Sequence, residues 1–147
     1  MDFRLTSPAF ADGAAIPDKY TCKGENLSPP LSITGAPEAT ASLALILHDP
    51  DSPSGNFLHW TMWNMPANTA AISENAAPLG SVSGVNDFGE TRYGGPCPHT
   101  GTHHYVFDLY ALDVELALGP GATRQELQNA IRGHVLAQTS LTGVFGN

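Results

Sequence analysis

Two short stretches hold most of the side chains that could do chemistry. Residues 49–59, DPDSPSGNFLH, and residues 94–105, GGPCPHTGTHHY, carry four of the six histidines. Asp49, His59, His103 and Tyr105, with the turn Gly95-Pro96-Cys97-Pro98, suit an anion or a zwitterion. Imidazole donates N–H and tyrosine donates O–H. A glycine at 95 lets backbone N–H groups approach a ligand oxygen, and the turn through Pro98 shapes a rim. An aspartate repels a phosphate, so Asp49 is expected either to orient a histidine tautomer or to pair with a ligand ammonium. A phosphate ester that carries an amine satisfies both halves. The expectation is that the two stretches meet in space and form one small anion-binding pocket.

Other chemistries are weighed against this. Asp, His and His are ligand types that zinc accepts, but the chain has no HExxH and no paired CxxC. No metal and no cofactor are expected. Cys97 with His103 is a conceivable thiol pair, yet no third orienting group or oxyanion hole is evident. A non-enzymatic binding protein is therefore expected, with a metal- or thiol-dependent hydrolase, or a scaffold or inhibitor with a vestigial pocket, as the alternatives. Cys22 and Cys97 do not make a disulfide framework, and free thiols are expected in a reducing compartment. Their pairing stays open, since spacing in sequence says nothing of their separation. Bland roles exist as well. Asp49 could cap its own loop, His103 and Tyr105 could be a core pair, and Trp60 and Trp63 read as core. His48, His104 and His134 read as solvent-facing or locally bonded.

The elements that must position these residues read as mostly β. Turn signals recur through residues 1–35, leaving short strands such as Phe3–Leu5 and Leu31–Ile33. Residues 41–47, ASLALIL, form a nearly continuous apolar run, the mark of a strand buried on both faces. Leu43, Leu45 and Leu47 share a face, with Asp49 next in phase. After it, Ser52-Pro53 is a candidate cis bond. His59 then opens a strand in which uniform alternation puts His59, Thr61, Trp63 and Met65 on one face and Trp60, Met62 and Asn64 on the other. Residues 67–101 read as a mainly irregular, ordered functional segment. Residues 102–112, THHYVFDLYAL, are the clearest strand, with His103, Tyr105, Phe107 and Leu109 on one face and His104 on the other. Thr123 and Glu126 form a T-x-x-E capping box, and Leu127, Ile131 and Val135 continue as a stripe at helical spacing. That predicts a helix to about Ala137 through Gly133, followed by a last extended segment.

The bulk properties exclude whole classes. A chain of 147 residues fits a single domain, 1–147. Its net charge is −8 with Lys and Arg scattered, so no nucleic-acid face is expected. No apolar run nears the roughly 20 residues of a membrane span. The first residues, MDFRLTSPAF, show no basic segment followed by an apolar core, so a cytoplasmic protein without membrane insertion is expected. Any anionic ligand must be caught by local donors against the global field. The low charged fraction, 14%, hints at a self-association surface.

DPDSP…HW followed by GGPCP…GTHHYVF, with YTCKGENLSPPLS and NDFGETRYGGPCP, resembles the phosphatidylethanolamine-binding protein family. The likeness covers nearly the whole chain and is greatest to the bacterial and archaeal branch of Raf kinase inhibitor-like proteins. It implies an antiparallel β-sandwich with a C-terminal helix. It also implies a pocket for phosphate-type anions and phosphoethanolamine headgroups, formed here by Asp49, His59, Pro98, His103 and Tyr105. A protein partner, kinase or protease, and a homodimer are expected on the same ground. This chain departs from the family pattern at His104, where many members have Arg, and at His99, where bacterial members often have Pro. Ile33 and His48 replace a frequent Trp and a frequent acid.

Overall fold

The computed structural model describes residues 2–146. Its strands are β1 (Arg4–Thr6), β2 (Leu31–Thr34), β3 (Ser42–Asp49), β4 (Phe57–Pro66), β5 (Ala71–Ile72), β6 (Val82–Ser83), β7 (Thr102–Leu112) and β8 (Val135–Gly146). One α-helix, α1 (Arg124–Ile131), lies between β7 and β8. The strands form two antiparallel sheets, β1-β2-β5 and β6-β4-β3-β7-β8.

The centre of the large sheet is β3, and its alternation feeds two cores. Leu43, Leu45 and Leu47 point between the sheets, against Leu5, Leu31, Ile33 and Ile72 of the small one. Ala44 and Ile46 point the other way, where Leu127 and Ile131 of α1 pack with Leu58 and Trp63. Cover on both faces is why this strand reads as an unbroken apolar run. Burying each leucine is worth roughly 1.5–3 kcal/mol.

In β4 the predicted alternation fails twice, at register shifts against Leu43/Leu45 and Leu47/His48. At the first, Asn64 takes φ 56°, and its side-chain amide closes two bonds with Leu116, at 2.9 and 2.7 Å. Asn tolerates this left-handed conformation better than most residues. Met65 therefore joins Trp60 and Met62 between the sheets, while Trp63 goes to the helix side. At the second, Leu58 falls on the helix side and His59 turns toward Tyr105. A bulge adds one residue and flips everything beyond it.

The capping box forms as predicted: the Glu126 amide donates to Thr123 Oγ1 at 3.1 Å and the Thr123 amide to Glu126 Oε1 at 2.9 Å. The predicted run to Ala137 is corrected, because α1 stops at Ile131. Gly133, at φ 83°, takes the left-handed conformation that ends helices without a Cβ penalty. Val135 and Leu136 instead begin β8, which pairs with β7 from Leu112↔Val135 to Thr102↔Gly146. A ladder of that length outweighs another helical turn.

Two further expectations change. The Ser52–Pro53 bond is trans, as are all described peptide bonds. The Gly55 amide donates to the Ser52 carbonyl at 3.0 Å, closing a turn whose second position suits a trans proline. Cys22 and Cys97 are not free thiols but a disulfide, with Cα atoms 5.4 Å apart across a separation of 75 residues. Backbone pairing brings them together: the Cys22 amide donates to the Pro96 carbonyl at 3.1 Å. Among the described residues, no helix is long and apolar enough to cross a membrane.

Candidate functional site

The sheet order sets the site. Because β3 lies between β4 and β7, its last residue, Asp49, falls between a histidine of each neighbour. Asp49, His59, Pro98, His103 and Tyr105 line one cavity of about 310 Å³. His104 lies outside it, as the phase of β7 predicts, and is held by Asp51, whose carboxylate accepts from the His104 amide and from Nδ1. Trp60 and Trp63 are buried in the two cores.

Asp49 fills two roles at once. Its Oδ1 accepts from the Asp51 amide at 2.8 Å, which caps its own loop. Its Oδ2 accepts from His103 Nδ1 at 2.6 Å, which fixes that ring. The other nitrogen of His103, Nε2, donates to the Thr100 carbonyl at 3.2 Å. Only the imidazolium donates at both nitrogens. The Asp49 hydrogen bond raises the pKa of His103 above its ordinary value, against the opposing effect of burial. Both contacts and the raised pKa favour the protonated form of His103, which is only 9% exposed.

His59 is the opposite case. Burial lowers its pKa, with the Gly94 carbonyl working against the shift. Nδ1 donates to that carbonyl at 2.7 Å. The neutral ring then keeps Nε2 as an acceptor. Tyr105 sits beside both rings, edge-on to His59 at 5.3 Å and stacked on His103 at 6.3 Å between centroids. Its hydroxyl is buried and has no hydrogen-bond partner among the described residues. Burial, with Asp49 nearby, pushes the phenol pKa up, so it stays protonated as a donor.

Gly95 does not line the cavity. Its amide donates to Asn26 Oδ1 at 2.9 Å, and a Cβ there would collide with that oxygen and with the Tyr20 carbonyl. It serves the rim from behind, by close packing against the loop that carries Cys22. The cavity also has a wall that the sequence reading missed. Phe57 and Phe88 meet edge to face at 4.9 Å, and Phe88 also contacts His59 at 5.5 Å. Phe57 opens the strand that carries His59, and Phe88 lies within NDFGETRYGG; neither has a spacing that marks it. Ser52, Pro53, Ser54, Cys97, His99 and Thr100 also line the cavity. Among the described residues, no three His, Cys, Asp or Glu side chains are grouped to hold a metal ion.

The fold is a two-sheet antiparallel β-sandwich with this cavity at the end of its central strands, and the comparisons identify the family that shares the fold. Residues 6–146 match the family profile described as phosphatidylethanolamine-binding protein. A UPF0098 protein of Methanothermobacter thermautotrophicus is 47% identical over 146 residues, 96% of this chain and 97% of the relative. A crystal structure described as a phosphatidylethanolamine-binding protein homologue of Chlamydia trachomatis superposes with TM-score 0.95 at 39% identity, covering 99% of this chain and 97% of that one. Escherichia coli YbcL, described as a member of the mammalian family, gives TM-score 0.93 at 29% identity over 100% and 99% of the two chains. The chain belongs to the phosphatidylethanolamine-binding protein family.

Proposed function

We propose that this chain is a non-enzymatic binding module for a phosphate-type anion or a phosphoethanolamine-like headgroup. The observation that carries the reading is one cavity lined by Asp49, His59, His103 and Tyr105, with the Tyr105 hydroxyl buried and without a partner among the described residues. A buried donor left unpaired costs about 1–3 kcal/mol, which an anionic oxygen would recover. His103 adds a second donor. Its bond to Thr100 is long, at 3.2 Å, and an anionic oxygen would compete for the same N–H. Asp49 holds the ring in place for that exchange. His59, with Nδ1 committed to Gly94, offers Nε2 to a ligand N–H or O–H, which suits an ammonium or a protonated phosphate. Phe57, Phe88, Pro53 and Pro98 suit the carbon part of an ester. The family name points to the same headgroup chemistry.

A partner protein, kinase or protease, would be engaged through the surface around this cavity, and a second copy through another. Cellular location follows redox state. A cytoplasmic chain would hold Cys22 and Cys97 as thiols, and an oxidising compartment would keep the disulfide. The mass of the native protein with and without reductant decides between them.

The direct test is calorimetric titration of phosphate and phosphoethanolamine into the wild type, His103→Ala and Tyr105→Phe. Binding that weakens in both variants supports the reading. A wild type that binds neither compound at low salt and mildly acidic pH sinks it, and leaves a scaffold whose motif serves folding.

A further inference from the structure

The stretches YTCKGENLSPPLS and NDFGETRYGGPCP, residues 20–32 and 86–98, meet at a second cavity of about 280 Å³. Asn26 and Ser28 line it from the first stretch, Arg92 and Tyr93 from the second, and Trp60 from β4. Residues 93–95 divide it from the first pocket. Tyr93 packs edge-on against Trp60 with ring centroids 5.3 Å apart, and its hydroxyl donates to the Tyr20 carbonyl at 2.6 Å. The next residue serves the first pocket, where the Gly94 carbonyl accepts from His59 Nδ1. No described residue lines both cavities.

Two side chains that are almost wholly buried end at this second cavity. Trp60 and Ser28 are 3% and 7% exposed. Neither the Trp60 indole N–H nor the Ser28 hydroxyl has a hydrogen-bond partner among the described residues. The described polar atoms that are both sealed from solvent and unpartnered belong to Thr40, Thr61 and Tyr105. The polar atoms of Trp60 and Ser28 are therefore open, and the opening is the cavity that they line. Trp63 is the contrast, because its indole N–H donates to the Leu118 carbonyl at 2.9 Å. Whatever Trp60 and Ser28 bond to must come from the cavity, since buried polar groups are rarely left unpaired.

The lining selects the chemistry of the occupant. No carboxylate lines the cavity, and its one charged side chain, Arg92, is already paired with Glu90 at 2.6 Å. Asn26 accepts from the Gly95 amide through Oδ1 at 2.9 Å, which leaves its Nδ2 as a donor. Asn75 and Ser83 add groups that both donate and accept. A neutral molecule with several hydroxyls matches this set, because each hydroxyl accepts from an N–H and donates to an amide or hydroxyl oxygen. It brings no charge into the field of a chain of net charge −8, and it leaves the Arg92–Glu90 pair intact. The volume lies just under the usual range of ligand pockets, about 300–1,000 Å³, which suits one small ring and not an oligomer. We propose that this second cavity binds a neutral polyol of monosaccharide size, with the Trp60 N–H and the Ser28 hydroxyl as its buried hydrogen-bonding groups. The two cavities share no lining residue, so this site and the phosphate reading stand or fall separately.

The test is nitrogen–proton NMR of the labelled full chain, titrated in turn with glucose, galactose, mannose, myo-inositol and acetate. The chain has two tryptophans, so two indole N–H signals report, Trp60 for the cavity and Trp63 as the internal control. At least one of the four polyols is expected to move the Trp60 signal with saturation in the millimolar range, while the Trp63 signal stays in place. Ser28→Ala removes a hydroxyl that holds no protein partner, so the fold is expected to survive. It should weaken the polyol about fivefold, the worth of one neutral hydrogen bond, and leave phosphate calorimetry unchanged. A Trp60 signal that none of the four polyols moves in that range overturns the proposal. So does a shift that grows linearly and in step with Trp63, which is an effect of the bulk solvent. A response to acetate alone overturns it as well, because the cavity then takes a carboxylate through Arg92. A polyol that binds Ser28→Ala as tightly as the wild type overturns the role given to Ser28 and with it the site as drawn.

Discussion

At the scale of single residues, Tyr105 separates binding from folding. Its ring is packed in the core but its hydroxyl has no partner there. Removing an unsatisfied buried group costs little or even stabilises. Tyr105→Phe is therefore expected to keep or slightly raise the unfolding temperature while weakening phosphate binding about tenfold, the worth of one hydrogen bond to a charged group. Calorimetry and thermal unfolding of the same sample check both halves, and a large drop in melting temperature would show that the hydroxyl has a structural partner after all. The two pocket histidines carry opposite pH signatures. The raised pKa of His103 gives stability that is complete below about 6.5 and is lost as pH climbs through the raised value. The lowered pKa of His59 gives stability that is complete above about 6.5 and is lost as pH falls through the lowered value. Denaturant unfolding from about pH 5 to about pH 9 should show His103→Gln losing the alkaline decline and His59→Gln losing the acid one. An unchanged acid limb in His59→Gln would mean that burial is not what keeps that ring neutral. Phosphate affinity should fall as pH rises through the His103 value.

At the scale of elements, the rim of the pocket is built by a crosslink and by close packing. The disulfide ties the loop before β2 to the turn before β7 across 75 residues. The chain-entropy account of a loop that size gives about 4 kcal/mol. Reduction, or Cys22→Ser with Cys97→Ser, should lower stability by up to that amount. It should also weaken phosphate binding, because the Gly95–Pro98 turn loses its covalent anchor to that loop and keeps only hydrogen bonds. If calorimetry shows unchanged affinity after reduction, the Gly95–Asn26 and Cys22–Pro96 hydrogen bonds hold the rim without the disulfide. The helix offers a second measurement. Gly133 at φ 83° has open space where a Cβ would go, so Gly133→Ala meets only backbone strain, about 1–2 kcal/mol. A neutral result in urea unfolding would mean that the turn relaxes.

At the scale of the whole molecule, charge opposes the proposed ligand. The chain carries −8, and the donors that would offset this are a few side chains at one end of the sheet. Long-range repulsion is screened by salt over roughly 10 Å. The association rate for phosphate should therefore rise modestly with ionic strength, opposite to a binder with a basic face. Stopped-flow rates in a non-competing salt read this directly, and a steep fall would point to a cationic surface that the charge distribution does not show.

The sequence by itself determined the elements whose signal is local. Continuous apolarity gave β3, period-2 alternation gave the face of β7 that carries His103 and Tyr105, and the capping box gave the start of α1. These follow from which neighbours along the chain share a face, and in β7 they put His103 and Tyr105 on one side; Asp49, His59 and Pro98 were expected beside them from residue type and from the family resemblance, and a bulge in β4 turns His59 to that side. Only the tertiary structure decided what depends on partners distant in sequence. The bulge at Asn64 is held by Leu116, the helix end by the ladder with β7, the disulfide by pairing of the Cys22 and Pro96 segments, and the Phe57–Phe88 wall by a loop folding over β4. Gly95 belongs with these: its need for glycine lies in the Tyr20–Asn26 loop behind it. Burial at His59 and the Asp49 hydrogen bond at His103 then shifted in opposite directions two histidines that read alike in sequence, since a ring's pKa follows from the acceptor and solvent it meets in the fold.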